Sequence, residues 1–152
     1  MVAERRIGLD RMPDSKRARL RLIQSSLTCR DERLAGYDAA VLMEVIEHVD
    51  RERLPALENT VFAHARPKSI IVTTPNVEHN IRFEQLAAGT RRHHDHRFEW
   101  TRAEFKEWAT TVAEQTGYVV RFEPIGDDDP NVGPPTQMAV FRRDDDVQRG
   151  NS

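Results

Sequence analysis

The sequence predicts an α/β fold on a mostly parallel sheet, and three observations carry that prediction. Two short segments read as buried strands: YDAAVLM at 37–43, almost continuously apolar as expected of a strand covered on both faces, and SIIVTTPN at 69–76. Between them, Leu54, Leu57, Val61 and Phe62 recur at the spacing i, i+3, i+7, i+8, one apolar stripe of a helix. Strands alternating with helices indicate a parallel sheet. Finally, YVVRFEPI at 118–125 and TQMAVFRR at 136–143 read as two closing strands, which suggest an antiparallel edge.

Each element has a local reason. VAERRIGLD reads as the tail of an amphipathic helix ending near Met12 and Pro13. RLRLIQSSL at 19–27 alternates basic and apolar residues before turning polar, which predicts a strand and the loop after it. Asp50 stands where it can cap the helix that carries Leu54. Pro75 stops the strand at 69–76. Thr101 and Glu104 form a capping-box pattern for a second helix, which buries Phe105, Trp108 and Val112 and ends at Gly117. GDDDPNVGPP, between the closing strands, is dense in turn formers, and the tail DDDVQRGNS at 144–152 is expected to fray.

Composition narrows the function classes. With 152 residues the chain is expected to form one domain with a real core. A formal net charge of −2 projects no global positive field toward nucleic acid. The basic runs at Arg5–Arg6, Lys16–Arg21 and Arg91–Arg92 read first as solvated faces. A single cysteine, Cys29, excludes an internal disulfide and fits a reducing cytoplasm. No apolar run approaches the roughly 20 residues of a membrane span, and MVAERRIGLD lacks the apolar centre of a signal peptide. A soluble, cytoplasmic protein is expected.

A doubly wound nucleotide-binding fold opens with a strand and a glycine-rich turn, yet no G-x-G occurs among the seven glycines. Either the fold needs no such loop or the sequence begins after it, and an opening inside a helix favours the second. The expected organisation is therefore a partial domain over residues 1–143 followed by the tail at 144–152.

Two polar knots then stand out. EVIEHVD follows the apolar segment at 37–43 and places Glu44, Glu47 and His48 at the carboxyl edge of the sheet, where open α/β folds bind ligands. Two hard oxygens and an imidazole suit Mg²⁺ or Mn²⁺, the imidazole tilting the choice toward Mn²⁺. On an ordinary exposed helix, E-x-x-E-H would be only a solvated face; its position after a buried strand raises the metal reading. The second knot, RRHHDHRFEW, offers His93, His94 and His96, of which His96 is the expected fourth ligand. Asp95 could orient a ring, while Phe98 and Trp100 are expected to anchor the loop by burial.

Together, EVIEHVD, TTPNVEHN, RHHDHRFEWTRAEFKEWA and GPPTQMAVF resemble the HEN-type RNA 3′-terminal ribose 2′-O-methyltransferases in their bacterial form, over about residues 4–141. The resemblance implies a Rossmann-like methyltransferase fold, lacking its first strands here, that uses S-adenosylmethionine. It implies that Glu44, Glu47, His48 and His96 hold Mg²⁺ or Mn²⁺. It places Ser26 beside the adenosyl moiety, although Ser25 stands where the family's glycine would be. Both hydroxyls of the terminal ribose would meet the cation, and the 2′ oxygen would attack the sulfonium methyl in line. Only a free RNA 3′ end would qualify. His48 would also be the candidate general base.

Thr73, Pro75 and Asn76 would line the substrate side of the same edge. Arg91, Arg92 and Arg97 could meet RNA phosphates without reading sequence. Bacterial members carry an N-terminal half that works with an RNA-repair kinase–phosphatase–ligase, and such a half would precede residue 1. The competing expectation is a catalytically inactive fragment that binds metal and RNA without holding the cofactor. A metal-dependent phosphoesterase is a third.

Overall fold

The computed structural model describes residues 11–18, 23, 25–83 and 91–145. The predicted helix tail at 2–10, most of the predicted strand at 19–27, LAAGT and the tail from residue 146 lie outside them.

Four strands form one sheet: β1 Ala39–Met43, β2 Ser69–Pro75, β3 Tyr118–Ile125 and β4 Thr136–Arg143, in the order β1-β2-β4-β3. β1 and β2 are parallel, with Ala39 opposite Ser69 and Met43 opposite Thr73. β4 lies antiparallel between β2 and β3, so the last strand in sequence takes the inner place. Composition explains the choice. β4 buries Ala139, Val140 and Phe141, whereas β3 alternates Arg121 and Glu123 with apolar residues and suits an edge.

Three helices are described, beginning with the single turn α1 Asp14–Arg17. α2 Leu54–Glu58 follows a tight turn at Arg51–Arg53 and widens into a π-helical stretch, Asn59–Ala65. It buries Leu54, Leu57, Val61 and Phe62, the four residues that its spacing predicts. Asp50 flanks this helix without capping it through its side chain; an ion-pair partner competes for the carboxylate, with Arg97 Nε 3.5 Å from Oδ1.

α3 Arg102–Thr116 starts on the expected capping box: Thr101 accepts from the Glu104 N–H, and Glu104 accepts from the Thr101 N–H at 2.8 Å. It ends at Gly117, whose φ of 72° closes the helix in the left-handed region that glycine enters without strain. Thr101→Ala is expected to cost about 1 kcal/mol and roughly 3 °C in Tm, a loss that thermal melting followed by circular dichroism would read.

Phe62 sits at the centre of the core, edge-on to Phe141 at 4.8 Å and to Tyr118 at 5.7 Å. Phe98, Trp100 and Phe105 extend this packing under the loop that precedes α3. One expectation is corrected. β1 is not covered on both faces: Val41 is 54% and Met43 67% exposed. An apolar run records what a strand can bury, but its cover comes from elsewhere in the fold. Among the described residues only the face bearing Leu42 has that cover. No helix among the described residues is long and apolar enough to cross a membrane.

Candidate functional site

The site grows from the place where β1 stops. Glu44, the next residue, has a φ of 52°, a left-handed conformation rare outside glycine. Thr73 of β2 holds it there: the Glu44 N–H donates to the Thr73 carbonyl and hydroxyl, both at 3.1 Å, and the hydroxyl donates to Glu44 Oε1 at 3.3 Å. The reversed backbone leads into a 3₁₀ turn, Ile46–His48, whose Ile46 is fully buried. That anchor carries Glu47 under the sheet edge, where it is 0% exposed. Thr74 Oγ1 donates to Glu47 Oε2 at 3.0 Å, and among the described residues Oε1 has no hydrogen-bond partner.

The loop at 91–100 closes over this turn from the other side. The Arg97 N–H donates to the Glu47 carbonyl at 2.7 Å and brings His96, itself buried, against the 3₁₀ turn. The rings of His48 and His96 meet edge to face with centroids 4.8 Å apart. Glu47, His48 and His96 each offer one ligand atom, and these atoms lie within 4.8 Å of one another. Glu44 stands outside that group, its carboxylate turned to Thr73. His93, His94 and Asp95 form a separate, exposed group. Ser26 lies apart on an exposed turn, its hydroxyl 2.9 Å from that of Thr28.

Electrostatics single out Glu47. Burial pushes its carboxyl above the ordinary carboxylate range; the nearby Glu44 adds to this, while hydrogen bonds from its own N–H and Thr74, and the proximity of His48, act against it. A buried acceptor oxygen without a donor is costly, and a cation beside it removes that cost. The two imidazoles present their nitrogens suitably. His48 Nδ1 lies 3.3 Å from the Asp95 carbonyl and His96 Nδ1 lies 2.6 Å from Glu99 Oε1. A carbonyl and an ionised carboxylate only accept, so each Nδ1 donates and each Nε2 keeps its lone pair. One hard oxygen and two imidazole nitrogens fit a divalent ion such as Mn²⁺ or Mg²⁺.

Three participants escaped the sequence reading. Thr74 fixes Glu47, and Glu99 accepts from His96, from Asn80 Nδ2 at 2.5 Å and from the Arg92 N–H at 2.5 Å. Glu99 lies inside the motif RHHDHRFEW that carries the family resemblance, three residues after His96, but no role was read for it. Asn80 and Thr74 lie in the segment TTPNVEHN, again with no role read for them.

Other residues named from the sequence have partners in the structure. The Asp95 carboxylate lies against His93 and His94, and only its backbone carbonyl meets His48. Arg92 Nη2 donates to the Pro135 carbonyl at 2.6 Å, and Arg91 Nη1 to the carbonyls of His96 and Arg97, so both brace the loop. Asn76 caps the following 3₁₀ turn and donates to the carbonyls of Val132 and Pro134, a structural duty.

No protein-family model matches the chain. The small RNA 2′-O-methyltransferase of Xenopus tropicalis is 40% identical over 127 residues, which cover 82% of this chain and 34% of that protein. This chain spans about a third of the length of the curated relatives first matched. A crystal structure of the methyltransferase domain of bacterial CtHen1 is 51% identical, with a TM-score of 0.82, covering 92% of this chain and 70% of that one. A chain in the Pnkp1/Rnl/Hen1 RNA repair complex is 28% identical with a TM-score of 0.56, covering 74% of this chain and 24% of that one. Methyltransferases only 14–17% identical share the Rossmann-like S-adenosylmethionine-dependent methyltransferase fold, with TM-scores of 0.54–0.60. Sequence and fold agree over nearly the whole chain: it belongs to the Hen1 family of RNA 2′-O-methyltransferases.

Proposed function

We propose that this chain forms the metal-bearing part of an enzyme that transfers a methyl group from S-adenosylmethionine to the 2′-hydroxyl of the 3′-terminal nucleotide of RNA. The observation that carries the reading is the convergence of Glu47, His48 and His96 at the carboxyl edge of the sheet in a Hen1-family chain. These three would hold a divalent cation, with Glu44 at the same lip as the fourth donor. When bound, the cation supplies Lewis acidity that favours ionisation of a ribose hydroxyl and holds it in place.

The remaining work belongs to the chain. Thr74 grips the Glu47 side chain and Arg97 its carbonyl, so the carboxylate keeps its aim. Glu99 fixes the tautomer and orientation of His96. His48 has only Nε2 left, because Nδ1 donates to the Asp95 carbonyl. As the proposed general base it would use that same nitrogen, so one atom serves one role at a time. Arg53 Nη2 donates to Thr28 Oγ1 at 2.8 Å and ties the turn bearing Ser26 to the segment after His48. That tie supports placing the cofactor beside Ser26. Assembly with an RNA-repair kinase–phosphatase–ligase and a cytoplasmic setting complete the proposal, supported by the likeness to Hen1 in its repair complex and by the free thiol of Cys29.

The test is an assay of the 152-residue chain with labelled S-adenosylmethionine, Mn²⁺ and two RNAs that differ only in a 3′-hydroxyl or 3′-phosphate end. Label is expected in the first RNA alone and is expected to vanish with chelator. Equal labelling of both, or transfer that persists in chelator, overturns the reading. Binding of Mn²⁺ and RNA with no affinity for the methyl donor would replace it with a noncatalytic binding module.

A further inference from the structure

Beside the ligand group the surface opens into a cleft of about 470 Å³, lined by Asp50, Arg51, Glu52, Arg53, Arg91 and Arg97. Four arginines face two acids there, in a chain whose formal net charge is −2. Its walls share backbone with the ligand group: Arg97 follows His96 and donates its N–H to the Glu47 carbonyl, and Arg51 stands three residues after His48.

The arginines are held, yet their charge is only partly answered. Arg91 is braced by the carbonyls of His96 and Arg97, and Arg53 donates to a neutral hydroxyl, that of Thr28. The Arg51 guanidinium lies 5.0 Å from the centre of the Phe98 ring. Among the described residues none of these three pairs with a carboxylate; only Arg97 does, reaching Asp50 at 3.5 Å with both side chains largely exposed. An unbalanced set of planar guanidinium groups, positioned by neutral partners, matches phosphate oxygens.

We propose that this cleft seats the phosphodiester backbone immediately 5′ of the reacting nucleotide. Arg51 and Arg97 would be its principal contacts, and Asp50 would be a competing anion that phosphate displaces. The proposal rests on the function proposed above, because an RNA whose terminal ribose meets Glu47, His48 and His96 must leave across the adjoining surface. Such contacts position the strand without reading its sequence.

The experiment is fluorescence anisotropy of a short single-stranded RNA with a free 3′ end, titrated with the 152-residue chain and Mn²⁺ over a salt series without methyl donor. Arg51→Ala and Arg97→Ala are each expected to weaken binding about tenfold and to lower the log–log salt slope by about 1. Asp50→Asn is expected to tighten binding about threefold by releasing Arg97. Arg51→Lys and Arg97→Lys should keep the slope and lose part of the affinity, since charge survives and the two-pronged contact does not. Mn²⁺ affinity should stay at the wild-type value in the Arg51→Ala and Arg51→Lys variants. Arg121→Ala, on β3 and paired with Glu123, is the control and should change neither affinity nor slope. Unchanged slopes in the Arg51 and Arg97 variants, or an equal loss in Arg121→Ala, sink the cleft while the proposed function stands. A wild-type chain that does not bind RNA sinks both.

Discussion

Glu47→Gln is expected to lower methyl transfer at least about 100-fold and to abolish any rise in Tm on adding Mn²⁺. The metal-free variant should nonetheless be as stable as the wild type or more so. The reason is the state of the carboxylate, fully buried with Oε1 lacking a partner among the described residues. Burial first, and the Glu44 charge second, raise its pKa above the unfolded value. A carboxyl whose folded pKa is raised binds its proton more tightly in the native state, so stability falls as pH climbs from the unfolded pKa through the folded one. The amide carries no such penalty. Melting both proteins from about pH 4 to pH 8, with chelator and with Mn²⁺, reads all of this. In chelator the wild type should lose stability relative to the variant as pH rises, and Mn²⁺ should raise only the wild type. A Glu47→Gln protein that responds to Mn²⁺ as the wild type does would remove Glu47 from the ligand set.

Glu99→Ala should be the most damaging single change to the fold around the site. Glu99 is the acceptor for three groups at once: His96 Nδ1 at 2.6 Å, Asn80 Nδ2 at 2.5 Å and the Arg92 N–H at 2.5 Å. Its side chain is 0% exposed and that of His96 8%, so water has little access to replace it. Unmatched buried donors cost about 1–3 kcal/mol each, and a total loss of about 3 kcal/mol would lower Tm by roughly 10 °C. Mn²⁺ affinity should fall about 10- to 100-fold, because His96 loses the group that sets its tautomer. Glu99→Gln separates the two effects. It restores volume and one acceptor oxygen, so much of the stability should return while Mn²⁺ affinity stays depressed. Affinity restored in step with stability would make Glu99 a packing residue and not a positioning one.

Much of the architecture was legible because its causes are local. The stripe Leu54, Leu57, Val61 and Phe62 follows from helical spacing, and all four are buried. The Thr101–Glu104 box and the stop at Gly117 involve neighbours within one turn of α3. The end of β2 at Pro75 is likewise written in one residue. The meeting of Glu47 and His48 with His96 was readable from motif resemblance, and the 3₁₀ turn after β1 realises it. The readings that changed depend on what lies across the fold. Cover for β1 cannot be inferred from β1, and Val41 and Met43 remain exposed. Arg91 and Arg92 look like free cations in sequence, yet carbonyls of the loop and of Pro135 claim them.

By itself the sequence determined the α/β alternation, the boundaries of α3 and the types of donor atom available at the sheet's carboxyl edge. Periodicity, capping and ligand chemistry are properties of residues and near neighbours, so a linear reading reaches them. Only the tertiary structure decided that β4 lies inside β3, that the Glu47 carboxylate packs beside the two imidazoles while that of Glu44 turns to Thr73, and that Glu99 meets His96. Those outcomes depend on which donor meets which acceptor across tens of residues, as Thr74 meets Glu47 and Asn80 meets Glu99. Hydrogen bonding of that kind is chosen by packing, which no local pattern encodes.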